Sequence, residues 1–180
     1  FMRQTLAAET YRDAGVPASE AFPLRVQQNG GFYAVAVFVE QVDERFLSRQ
    51  DLDPDGALYK MYNPATSAYS DIRKVTRKEE PNHDLADLVD AMNSGNAASR
   101  TTYLFDHVDI PSYVNALVAT SLMHDNDGFN KNHYLYRDTE GSGEWRMIPW
   151  DKDLSFGRNW KQFPGANETG VLNDDITYTA

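Results

Sequence analysis

Cysteine is absent from all 180 residues, so neither a disulfide framework nor thiol chemistry is available to this chain. Basic residues are scarce beside acidic ones, 17 Lys and Arg against 27 Asp and Glu. The resulting net charge of −10 argues against a broad basic face for nucleic acid or anionic membrane, and suits either basic partners or plain solubility. No apolar run is long enough to span a bilayer, and the opening residues read as a helix rather than a signal peptide. A Walker-type phosphate loop and a G-x-S-x-G nucleophile elbow are both missing. Zinc-ligand spacing is missing too, because His124 and His133 stand nine positions apart with no third His or Cys near them. Repeats and low-complexity tracts do not occur. What remains, 41% hydrophobic and 24% charged, is the composition of an ordinary globular domain, sized for one core or two small lobes. The chain begins inside a predicted element and ends without a stop signal, as expected of a segment from a larger polypeptide.

The pattern of turn signals and apolar periodicity predicts a β-rich first third and a mostly helical remainder. Residues 3–14 read as an amphipathic helix closed by Gly15 and Pro17. Residues 22–28 and 32–40 alternate around Asn29-Gly30, a strong hairpin signal. A short helix over 43–50 and a strand over 57–62 follow, and residues 63–68 are the expected link. Helices are predicted over 84–93 and 101–107, and over 110–123 with Asp109 as its cap and Pro111 in its first turn. Two strands, 132–137 and 144–150, are joined by Gly141-Ser142-Gly143 into a second hairpin.

The chemistry-bearing residues gather around that second hairpin. Asp127 is followed, after four intervening residues, by Asn132, and the far strand runs into Asp151-Lys152-Asp153. Protein kinases keep the same order of acid, amide and later acid, because a base for the acceptor hydroxyl and two oxygen ligands for Mg²⁺ must converge on one γ-phosphate. By itself the D-x-x-x-x-N spacing is common. Its context is the informative part: a helix, an acidic loop and a hairpin that returns a second acidic cluster toward the first.

The runs Asn130-Lys131-Asn132-His133-Tyr134-Leu135-Tyr136 and Ile148-Pro149-Trp150-Asp151-Lys152-Asp153, with Phe156-Gly157, resemble the CotH family of spore-coat-associated atypical protein kinases. Further upstream, the resemblance takes in Asn29-Gly30-Gly31-Phe32-Tyr33, the stretch Glu40-Gln41-Val42-Asp43-Glu44-Arg45-Phe46-Leu47 and Asp55-Gly56-Ala57-Leu58-Tyr59-Lys60. It implies an α+β, two-lobed, protein-kinase-like fold. Residues 1–62 would form part of the N-lobe, 63–68 the link, and 69–180 part of a C-lobe with a β-hairpin at its active site. It also implies Asp127 as the catalytic acid that orients or deprotonates a Ser or Thr hydroxyl, and Asn132 and Asp151 as ligands of Mg²⁺ or Mn²⁺, with Asp153 as an additional ligand. Lys60 becomes the candidate for holding ATP phosphates, with Glu40 as its ion-pair partner. The implied partners are Lys- and Ser-rich coat or cell-surface proteins, with no nucleic acid and no membrane insertion. The implied location is extracellular, cell-surface or spore-associated.

Other readings of the same residues stand beside this one. A D-x-D at a turn is commonly a solvated, self-capping cluster. Trp145, Trp150, Tyr134 and Tyr136 fit a packed core as well as a pocket wall. Asp51-Leu52-Asp53-Pro54-Asp55-Gly56 matches the first half of an EF-hand loop, yet position twelve is Tyr62 where a bidentate Glu is needed, so it reads as a turn. A non-catalytic surface-binding module of the same fold, with its acidic cluster kept for calcium or for structure, is the alternative function.

Overall fold

The computed structural model describes residues 2–125 and 131–156. The architecture is α+β, built on two antiparallel sheets. The elements in order are α1 (Met2–Asp13), β1 (Ala21–Gln28), β2 (Gly31–Val39), α2 (Glu44–Arg49), β3 (Ala57–Met61) and β4 (Ile72–Lys74). After these come α3 (His83–Asn93), α4 (Ala97–His107), α5 (Ile110–Leu122), β5 (His133–Arg137) and β6 (Trp145–Pro149).

Strands β1 and β2 form a two-stranded ribbon. Asn29 and Gly30 both take left-handed backbone, φ 52° and 80°, the geometry of a hairpin turn whose twist matches its strands. Phe22 and Phe38 lie directly opposite in register and stack with ring centroids 4.8 Å apart. The other sheet has the order β4-β3-β5-β6, so the hairpin β5–β6 is joined to β3 by a ladder that sets Lys60 opposite Tyr134. The residues 63–68 connect β3 to β4 within this sheet, which therefore draws strands from both sides of the segment.

Both faces of the four-stranded sheet are covered, which is why His133, Tyr134, Leu135 and Tyr136 are all buried despite alternating direction. On one face Tyr59, Met61, Leu135 and Trp145 pack against Leu85, Leu88 and Val89 of α3. On the other, Leu58, Tyr134, Tyr136 and Ile148 pack against Phe46 and Leu47 of α2. A third cluster joins Ala7 and Tyr11 of α1 to Ala116 and Ala119 of α5 and Met147 of β6. Helix α5 starts as its sequence predicts: the Asp109 carboxylate accepts from the Ser112 amide at 3.1 Å and also pairs with Arg146 of β6 at 2.9 Å.

Two elements differ from the sequence expectation. Helix α4 begins at Ala97 instead of 101, because the Asn96 side chain caps it by accepting from the amides of Ala98 and Ser99. Its first turns are polar and none of its residues is buried, so apolar periodicity gives no warning of it. Strand β4 is three residues long and exists through its pairing with β3.

The EF-hand-like segment is a turn: Gly56 donates to the Asp53 carbonyl at 3.0 Å and the Asp53 side chain accepts from the Asp55 amide at 2.9 Å. The glycine is required by close approach, since a Cβ there would sit 2.5 Å from the Tyr136 ring and 2.8 Å from the Arg137 carbonyl. Gly56→Ala is expected to destabilise the protein by about 1–3 kcal/mol through forced shifts of a buried ring and a backbone carbonyl, measured as a lower urea midpoint. His133 is 8% exposed, and burial holds its imidazole down at about 4 against an ordinary 6.5. Between those values the unfolded chain takes up a proton that the folded chain refuses, so stability falls as the pH drops through that window. His133→Asn is expected to remove about 1–2 kcal/mol of the wild-type loss between about pH 7 and pH 5, read from paired urea titrations.

Candidate metal and phosphate site

The hydrogen-bond ladder of β5–β6 does not stop where the strands do. Beyond the last pair, His133 opposite Pro149, the Trp150 amide donates to the Asn132 carbonyl at 3.0 Å. Asn132 therefore lies across from Trp150, next to Asp151. Both Asn132 and Asp151 take left-handed backbone, φ 60° and 55°. This conformation costs an L-residue roughly 1–2 kcal/mol and is best tolerated by Asn and Asp, whose short polar side chains bond locally. His124, φ 47°, and Phe156, φ 58°, add strained points where the loop after α5 meets the loop after β6. These loops are stitched together by the Phe156 amide on the Met123 carbonyl at 2.5 Å. Backbone strain of this kind persists only where the surroundings over-determine it, and it gathers at functional sites.

Exposure along Asp151-Lys152-Asp153 alternates. Both acids are exposed, while Lys152 is 2% exposed. Its ammonium lies 3.0 Å from Asp125, which is completely buried. The Tyr11 hydroxyl of α1 stands 2.8 Å from the Thr120 hydroxyl and 3.4 Å from Asp125. Asp125 can only accept, so the Tyr11 proton is the one shared with it, while Thr120 also reaches the Ala116 carbonyl at 2.7 Å. Burial first, and the Asp125 charge second, push the Tyr11 phenol far above its ordinary range, so it stays a donor.

Lys60 projects from β3 on the same face as Tyr134. Its ammonium sits 5.1 Å from the Trp150 ring centroid, 5.3 Å from Tyr62 and 5.8 Å from Tyr134. Three ring faces around one cation form a cation–π cage. Since Trp150 precedes Asp151 directly, the cage borders the acidic end of the ribbon. Glu40 is elsewhere engaged. Arg49 grips both its carboxylate oxygens and the Glu20 amide adds a bond at 3.0 Å. The expected Glu40–Lys60 pair is thus replaced by a Glu40–Arg49 fork, which ties the end of β2 to α2, while aromatic rings hold Lys60.

Asp127 lies outside the described residues. The remaining candidates divide clearly: Asn132 and Asp151 are brought together at one end of a ribbon, Asp153 follows on the same exposed side, Lys60 borders them, and Glu40 belongs to another contact. Among the described residues no three His, Cys, Asp or Glu side chains cluster closely enough to hold a metal by themselves. Asn132 and Asp151 supply oxygen, the donor that Mg²⁺ and Mn²⁺ select, and an Mg²⁺ site of one or two carboxylates completed by waters and substrate phosphates needs no such cluster. The donor set fits the ion. An apolar cavity of about 300 Å³ between α3, α5 and β5–β6 is lined by none of these residues. Sequence reasoning missed Lys152, Asp125 and Tyr11. The one available signal was a lysine flanked by two acids, which reads as a solvated turn unless its burial is known.

Two comparisons bear on this geometry. The family described as CotH kinase protein matches residues 1–178. Inner spore coat protein H of Bacillus subtilis (strain 168) is 28% identical over an alignment of 172 positions, and the match covers 88% of this chain and 47% of that protein. The chain thus spans about half the length of this curated relative. With a match running almost from end to end over the motifs that build the ribbon and its acidic end, the chain belongs to the CotH family.

Proposed function

We propose that this chain carries the phosphoryl-transfer site of an atypical protein kinase, using ATP with Mg²⁺ or Mn²⁺ to phosphorylate Ser or Thr of coat or cell-surface proteins. The observation that supports this most is the meeting of Asn132 and Asp151 in left-handed backbone at the end of β5–β6, tied by the Trp150–Asn132 hydrogen bond. Membership in a family described as a kinase, and a relative that is a spore coat protein, favour the same reading and a spore-associated location. On this reading residues 1–62 belong to an N-lobe, 63–68 form the link and 69–180 belong to a C-lobe.

The roles follow from chemistry. Asn132 and Asp151 hold the cation through oxygen, and Asp153, exposed two positions on, adds a further carboxylate to the same edge. A cation bound there neutralises phosphate charge and aligns the γ-phosphoryl group. Asp127 positions the acceptor hydroxyl and takes its proton as the new O–P bond forms and ADP leaves with the electrons of the broken bond. Lys60 contributes a fixed positive charge toward the phosphates, its stem and ammonium oriented by Tyr62, Tyr134 and Trp150. A net charge of −10 suits a Lys-rich acceptor, whose capture then weakens as salt rises.

Asp151→Asn is expected to lower kcat/KM for peptide phosphorylation by about a hundredfold or more, measured with radiolabelled ATP and Mn²⁺; unchanged transfer removes Asp151 from the metal. Lys60→Met is expected to raise the KM for ATP by about tenfold with a smaller change in kcat. Should no transfer occur under any condition while Ca²⁺ raises the melting temperature, the binding-module reading replaces this one.

A further inference from the structure

A lysine between two exposed acids has every reason to point into water, yet Lys152 turns inward and is 2% exposed. It does so to reach Asp125 at 3.0 Å, and both partners are almost wholly removed from solvent. Burying two charges is costly. An apolar pair of similar size generally gives equal or greater stability, so such a pair is better explained by the conformation it fixes than by the stability it adds. The conformation fixed here is that of the tripeptide. Lys152 is anchored inward between the exposed Asp151 and Asp153, and the left-handed backbone of Asp151 is held from its C-terminal side. The Trp150 bond to Asn132 holds it from the N-terminal side. Two further contacts keep the anchor from sliding: the Ser155 amide meets the Lys152 carbonyl at 3.4 Å, and the Phe156 amide meets the Met123 carbonyl.

The anchor is also shared with another part of the fold. Tyr11 lies in the last turn of α1, and its hydroxyl reaches Thr120 at 2.8 Å and Asp125 at 3.4 Å. Helix α1 otherwise touches this region through the Ala7, Tyr11, Ala116, Ala119 and Met123 cluster. A shift of α1 along α5 therefore acts on Asp125, and through Lys152 on the orientation of Asp151.

We infer that Lys152 is a positioning residue for the cation site, held by Asp125, and that Tyr11 makes the affinity of that site depend on the seating of α1. The inference rests on the reading of Asp151 as a cation ligand. It predicts that groups which never touch the ion set its affinity, as residues outside a coordination shell commonly do by tenfold or more.

The test is Mn²⁺ binding to the protein, followed by the loss of free-Mn²⁺ electron paramagnetic resonance signal, alongside thermal melting. Lys152→Met combined with Asp125→Leu removes both charges without stranding either. The double variant is expected to melt cooperatively and to bind Mn²⁺ about tenfold more weakly. Tyr11→Phe keeps the ring and deletes one hydroxyl; about threefold weaker binding at an unchanged fold is expected, and it serves if the double variant does not fold. Mn²⁺ affinity within twofold of wild type in the folded double variant, or in Tyr11→Phe if the double variant is unfolded, overturns the inference. Asp151→Asn separates the two levels. If it binds Mn²⁺ like wild type, the cation reading itself fails and takes the inference with it. If it abolishes binding while the double variant does not weaken it, the inference alone falls.

Discussion

One backbone hydrogen bond, from the Trp150 amide to the Asn132 carbonyl, carries the β5–β6 ladder one step past its regular pairs. Without that step, Asn132 and Asp151 would belong to two separate loops flanking the hairpin. With it, an amide and a carboxylate start from fixed backbone on the same edge. The two-residue cost of left-handed conformation, about 2–4 kcal/mol in total, is sustained because the ribbon behind it is buried on both faces. Tyr134, Tyr136 and Ile148 seal one side, and Leu135 and Trp145 the other.

The same economy of contacts explains the surroundings. Strand β3 is the partner of β5, and so Lys60, two residues from Leu58 on the same face, is delivered beside the rings of Tyr134 and Trp150. The Glu40–Arg49 fork is spent on joining the end of the β1–β2 ribbon to α2. Gln41, the next residue, reaches the Tyr134 hydroxyl at 3.3 Å, so the exit from that ribbon also touches the wall of the Lys60 cage. Sheet, cage and acidic edge are thus one packed unit, and α1 communicates with it through Tyr11 and the buried Asp125–Lys152 pair.

Most of this was legible in the residues. The Asn29-Gly30 turn, the Asp109 cap with Pro111, and the alternation of the two hairpins each state a local preference that the fold keeps. Helix α4 was half legible, since Tyr103 and Leu104 announce its end while its polar start depends on the Asn96 cap. Strand β4 was invisible, because three residues carry no periodicity and their pairing with β3 is a tertiary event. At the site, residue type and spacing pointed to Asn132 and Asp151, whose meeting is a property of one ribbon. The Asp125–Lys152 pair was not legible, because burial of a charge depends on two loops closing on each other, and sequence spacing of 27 residues says nothing of that. The failure of the Glu40–Lys60 pair that the family resemblance implies has the same origin: whether residues 20 apart meet is a tertiary event, and the fold joins Glu40 to Arg49 and sets rings around Lys60.

The account stands on Asn132 and Asp151 sharing one cation, and crystals of the protein soaked in Mn²⁺ with a non-hydrolysable ATP analogue test this most directly. The expected anomalous difference map has its strongest peak at the end of β5–β6, with the Asn132 side-chain oxygen and an Asp151 carboxylate oxygen each within about 2.5 Å of it. A peak seated elsewhere, or bound Mn²⁺ that one of these two side chains does not touch, would contradict it.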